Sequence, residues 1–158
     1  MRVAVSHDQR PIHGSSFLAV CLVANAWFSL IIFIVAGWSH YQQKLFTYQF
    51  TAVERAWYAS ILAFWMAAEG PRLWLGVRSN MTQSGALMFG FLALTGLVHT
   101  VLMLVYVFVI PHRSALDVAL GSMQMLFAAT EVCLGLRAMS TLVTRNTIEF
   151  YVSLKRLD

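Results

Sequence analysis

Apolar residues along this chain fall into four long runs separated by short polar stretches. Each run is long enough to cross the roughly 30 Å hydrocarbon layer of a bilayer as a helix. The pattern predicts spans over about residues 17–38, 56–77, 86–110 and 115–136, preceded by a polar tail over residues 1–16. In the first span Asn25 is the one strongly polar interior residue. Trp38, Tyr41, Phe46 and Tyr48 form an aromatic belt where the span leaves the membrane, with Lys44 in the water beyond. The length of this run argues against a secretory leader, whose apolar core is much shorter. After a loop containing Glu54 and Arg55, the second span ends in EGPRLWLGVRSN, Glu69 to Asn80. Ser79, Asn80, Thr82, Gln83, Ser84 and Gly85 then predict a tight polar turn, so that spans two and three form a helical hairpin. Pro111, His112 and Arg113 end the third span, and Asp117 opens the fourth.

Beyond Arg137 the hydropathy falls, but an apolar stripe persists through Met139, Leu142, Val143, Phe150, Leu154 and Leu157. Arg145, Glu149, Lys155 and Arg156 lie mostly off it. The stripe predicts an amphipathic C-terminal helix over residues 138–158, lying on the headgroups; a continuous helical extension into solvent is the rival reading. The fold class expected from the whole pattern is an all-α membrane protein. Its transmembrane domain is a four-helix bundle over residues 17–137, followed by that amphipathic tail.

Charge inside these runs carries most of the remaining information. Glu69 and Arg72 are spaced i, i+3 and share a helix face, so each lowers the cost of placing the other at a low-dielectric boundary. Pro71 between them lacks an amide hydrogen and crowds the preceding turn, which predicts a kink. Glu131 precedes the exit of the fourth span by a similar distance. Arg72, whose planar guanidinium offers five donors, is therefore expected to bridge Glu69 and Glu131. Intramembrane carboxylates also mark ion pathways, which keeps a small proton-coupled transporter in view. His99 sits in the middle of the third span. A b-type haem would need a second axial ligand at similar depth, and His7, His13, His40 and His112 all lie at or beyond span ends. Cys21 and Cys133 fall within apolar runs and read as free thiols. No metal-ligand spacing, phosphate-cradling loop or nucleophile triad is visible, so neither an enzyme nor a cofactor is expected.

Composition agrees with the pattern. Hydrophobic residues make up 59% of the chain and charged residues 11%, with a mean hydropathy of +0.67, well above the balance of a water-soluble domain. The net charge of +4 is informative only by position. Arg2, Arg10, Arg72, Arg78, Arg137, Arg145, Lys155 and Arg156 fall on the side of the termini, whereas Lys44, Arg55 and Arg113 fall on the other. This asymmetry predicts both termini in the cytosol, or in the matrix of an organelle. The basic residues do not cluster, so no nucleic-acid partner is expected. The sequon at Asn80 would face the cytosol and is expected to stay unmodified.

The segment ExxRLxLGxxxN, carried by Glu69, Arg72, Leu73, Leu75, Gly76 and Asn80, resembles the signature of the transmembrane protein 17 family. GFLALT at residues 90–95 resembles that family's third span, Leu116 its entry to span four, and LGLRAM at residues 134–139 its exit. Ser79, where many members carry glycine, and Pro71 depart from the pattern and leave the subfamily open. The length of the tail favours the transmembrane protein 17 branch over its relatives, transmembrane proteins 216 and 80. The resemblance implies a non-catalytic four-span subunit of the ciliary transition zone. Such a subunit would act with tectonic and Meckel-syndrome proteins in the membrane diffusion barrier and in cilium biogenesis. Under that reading Glu69, Arg72, Leu73, Gly76, Asn80 and Glu131 serve helix pairing. The partners are membrane lipids and other membrane subunits. An accessory subunit of a mitochondrial inner-membrane complex and the small transporter are the alternatives.

Overall fold

The computed structural model describes residues 14–47, 50–109 and 112–154, and all regular structure among them is helical. Most of the N-terminal tail, Tyr48, Pro111 and the charged end Lys155 to Asp158 lie outside the described residues. The helices form four rods. In the first, Ser15 caps helix α1 (Ser16–Trp27) by accepting a hydrogen bond from the Leu18 amide. The chain then passes through a π-helical segment (Phe28–Ala36) into helix α2 (Gly37–Thr47) without a break. This rod extends well past the exit predicted near residue 38. It carries Lys44, expected in water, into the interior, where the residue is 2% exposed.

Helix α3 (Ala52–Thr82) forms the second rod. It opens with a capping box: Thr51 Oγ1 accepts from the Glu54 amide, and the Glu54 carboxylate accepts from the Thr51 amide at 2.9 Å and its hydroxyl at 2.8 Å. The backbone bond above all holds the Glu54 carboxyl below its usual range. The rod stays helical through Pro71 and through Ser79 and Asn80, which the sequence pattern assigned to a turn. That turn is confined to Gln83, in the left-handed region at φ 50°, and Ser84, which caps helix α4 (Gly85–Ala93). A π-helical segment (Leu94–His99) joins α4 to helix α5 (Thr100–Phe108), completing the third rod. Helix α6 (Ala115–Leu154) is the fourth.

No glycine or proline interrupts α6 between Leu136 and Leu154, and the helix continues past Arg137. Residues 138–154 are thus an extension of the fourth rod, not a separate helix, and Val143, Phe150 and Tyr151 on it are exposed. The continuous extension, weighed above as the rival, describes this geometry.

Helix α3 packs against α1 and α4, while α6 packs against α1, α4 and α5. Two apolar clusters fill the interior. Tyr41, Tyr58, Ile61, Trp65, Met103, Tyr106, Val107 and Leu120 form one, and Leu18, Leu22, Met88 and Phe91 the other. Between them along α3 and α6 lies a polar layer. The outer surface is the reverse of a soluble protein's: Phe17, Val20, Trp27, Phe64, Trp74, Phe89, Leu97 and Phe108 are exposed, while Asn25, Arg72, His99, Gln124 and Glu131 are fully buried. Two helical stretches, Gly85–Phe108 and Ala115–Ser153, are long and apolar enough to cross a membrane, and Ser16–Ile31 is a shorter apolar helix. In α3, charged, aromatic and small residues dilute the aliphatic content.

One glycine sets the approach of three rods. A Cβ on Gly76 would stand 2.7 Å from Leu22 Cδ2 and 2.9 Å from Phe91 Cε2. Gly76→Val is therefore expected to cost about 1–3 kcal/mol by overpacking. Gly70→Ala, on the same helix with open space around it, should cost nothing. Unfolding of both variants in detergent checks this; equal losses would contradict the close packing at Gly76.

Candidate functional site

The family-like stretch of α3 reads as one helix face. Positions 69, 72, 76 and 80 advance by three or four residues, so Glu69, Arg72, Gly76 and Asn80 all turn inward and are buried. Leu73 and Leu75 flank that face and pack against the cluster of Leu18, Leu22, Met88 and Phe91. At the helix end, Asn80 clamps the start of the first rod: its Oδ1 accepts from the Ser15 amide at 2.8 Å, and its Nδ2 donates to the Ser15 carbonyl at 3.1 Å.

Four rods meet at Arg72. Its Nε donates to Glu69 Oε2 at 2.9 Å and its Nη2 to Glu69 Oε1 at 2.7 Å, a bidentate pair within one helix turn. Nη1 forms an ion pair with Glu131 Oε2 on α6. The bridge expected from the sequence is thus present in the geometry. Glu131 Oε1 accepts from Asn25 Nδ2 of the first rod at 2.7 Å. Ser29 Oγ, one helical turn from Asn25, donates to Glu69 Oε1 at 2.8 Å and accepts from Gln124 Nε2 at 2.8 Å. From the third rod, His99 brings Nδ1 to 3.2 Å from Glu69 Oε2, close enough for an ion pair when the ring is protonated but without the alignment of a hydrogen bond. Ser29 and His99 both sit in the π-helical segments, where the helix widens and its side chains are re-aimed.

Two carboxyl groups face one guanidinium, and the His99 ring stands beside the pair. The carboxylates are also solvated by protein donors, as buried charges must be. His99 Nε2 and Gln124 Oε1 have no hydrogen-bond partner among the described residues. Among those residues no three His, Cys, Asp or Glu side chains converge to hold a metal ion.

A second polar centre lies toward the other end of the bundle. Lys44 of α2 forms an ion pair with Asp117 at the start of α6 and stands 5.4 Å over the Tyr58 ring. Asp117 Oδ1 accepts from Tyr106 at 2.9 Å and Tyr58 at 3.2 Å, while Oδ2 accepts from the Ser114 amide at 2.8 Å. Asp117, read from sequence as a residue opening the fourth span, therefore also ties together all four rods. Asn25, Ser29, Gln124 and the Lys44–Asp117 pair were not joined by sequence reasoning. Their one local signal is spacing: Asn25 and Ser29, like Gln124 and Glu131, recur at intervals that share a helix face.

The model of the Transmemb_17 family, described as "predicted membrane protein", matches residues 20–128, a stretch containing the Lys44–Asp117 centre and every residue named at the Arg72 junction except Glu131. No curated protein and no solved structure matches the chain.

Proposed function

The chain belongs to the transmembrane 17 family of predicted membrane proteins, and from that premise we propose that it is a non-catalytic, four-span scaffold subunit of a multiprotein membrane complex. The observation that carries this reading is the internal pairing of the buried Arg72, Glu69 and Glu131 side chains. Each carboxylate at Arg72 is held by side chains from other rods, and the remaining family-like residues each make a contact within the chain. A site spent on internal pairing fixes helix register and leaves the apolar exterior for lipid and neighbouring subunits. The sequence resemblance supports a place in the ciliary transition zone, with tectonic and Meckel-type membrane proteins as partners, and the distribution of Lys and Arg supports cytosolic termini. A transporter would instead keep a carboxylate in contact with a water-filled path.

Imaging of the full-length tagged chain in ciliated cells tests the location. A spot at the ciliary base is expected; a mitochondrial network or a uniform plasma-membrane signal would overturn it. Topology is tested separately. In sealed vesicles with the cytosolic face outward, a C-terminal tag should be digested by added protease, and a protected tag would sink the four-span arrangement.

A further inference from the structure

We propose that a cavity at the end of the bundle where α1 begins binds the phosphate-bearing headgroup of an anionic phospholipid; this deepens the four-span reading and rests on it. The cavity measures about 450 Å³, within the range of small-ligand sites. Arg137 and Arg145, two turns apart on α6, line it, and no acidic side chain does among the described residues. Arg137 is exposed, and its guanidinium makes no hydrogen bond or ion pair among the described residues. Arg145 is partly engaged: Nε donates to Glu149 at 2.9 Å and Nη1 to Gln83 at 3.4 Å. Ser15, Ser16 and Thr141 add hydroxyl groups to the wall, and α1 turns the positive end of its helix toward it.

The other wall is apolar. Leu134, Leu142 and Phe17, the last 80% exposed, continue the cavity onto the hydrophobic surface of the bundle. A guanidinium fork matches phosphate oxygens bidentately, and basic residues at a leaflet surface attract anionic lipids. A free phosphate would use only the arginines. A phospholipid uses both halves, its phosphodiester at Arg137 and Arg145 and its glycerol and acyl chains along Phe17 and Leu134. The sequence places this end on the side enriched in Lys and Arg, assigned above to the cytosol.

The test uses the full-length chain in nanodiscs of equal phosphatidylcholine and phosphatidylserine, followed by gentle detergent release and native mass spectrometry of retained lipid. Phosphatidylserine should be retained about tenfold over phosphatidylcholine, and the Arg137→Gln/Arg145→Gln double variant should lose that preference. Because both arginines are at the surface, the variant should keep the helical circular dichroism of the parent; the single Arg137→Gln variant, with an intermediate preference, provides a second measurement. Equal retention of the two lipids, or a double variant that keeps the preference, would overturn the proposal. So would inorganic phosphate binding at the arginines with no lipid preference, which would assign the site to a free anion. A chain that does not enter the discs would overturn the four-span reading and this proposal together, whereas one that enters and retains both lipids equally overturns the proposal alone.

Discussion

Replacing Arg72 with alanine is expected to lower the stability of the detergent-solubilised protein by about 3–5 kcal/mol, because it strands two buried carboxylates. Arg72 has no exposed surface, and its donors are shared between Glu69 on its own helix and Glu131 on α6. Once it is gone, Glu131 keeps only Asn25 as a donor among the described residues, and Glu69 keeps Ser29 with His99 nearby. Lysine should not substitute, since a single ammonium cannot reproduce a fork that pairs bidentately with one carboxylate and reaches another. Adding Glu131→Gln to Arg72→Ala removes one stranded charge and should recover part of the loss. A double-mutant cycle built on denaturant unfolding in micelles gives the coupling directly. Strictly additive losses would mean that Arg72 and Glu131 do not interact, whatever their proximity. The same variants separate scaffold from transporter, since loss of a coupling carboxylate in a transporter abolishes proton-linked flux while sparing the fold.

What the chain reveals on inspection, and what it conceals, follows from the range of the interactions involved. Helix formation and apolar character are local, so the four apolar runs and the Glu69–Arg72 pair could be read from spacing alone. The pairing of Arg72 with Glu131 was also within reach, because two carboxylates near the same end of their runs reach similar depth. Asn25, Ser29, His99 and Gln124 are different. Each is one of a few polar residues in a mostly apolar run, and only the relative rotation of four packed rods brings them to one point; a rotation of a third of a turn would send any of them into lipid. Lys44 misled for a related reason. Its aromatic neighbours imitate a membrane boundary, whereas the helix continues to Thr47 and buries it against Asp117. The end of α3 and the tail depended on what stops a helix. Polar residues at 79–80 do not stop one when their side chains find partners, as Asn80 does at Ser15, and nothing between Leu136 and Leu154 interrupts the helical ladder.

Asp117→Ala should be the other severe change, with a loss of about 3–5 kcal/mol and an effect confined at first to one end of the molecule. The substitution leaves the Lys44 ammonium buried without its counter-ion and removes the acceptor used by Tyr58 and Tyr106. It also deletes the carboxylate that accepts the Ser114 amide at the start of α6. Asp117→Asn, which keeps an acceptor oxygen for the tyrosines but not the charge, should fall between alanine and the parent. Combining it with Lys44→Met should recover part of the deficit, because a buried pair replaced by neutral groups of similar size costs far less than half a pair. The loss should be local because few backbone contacts tie α2 to α3 or α6, so the Lys44–Asp117 pair and the Tyr41–Tyr58 stack, centroids 4.9 Å apart, carry most of its attachment. Hydrogen exchange in Asp117→Ala should therefore accelerate first in residues 37–47, while the amides around Asn25, Arg72 and Glu131 stay protected. Uniform acceleration across all four rods would instead mean that the two polar centres unfold as one unit, and that the junction at Arg72 does not hold the bundle independently of its far end.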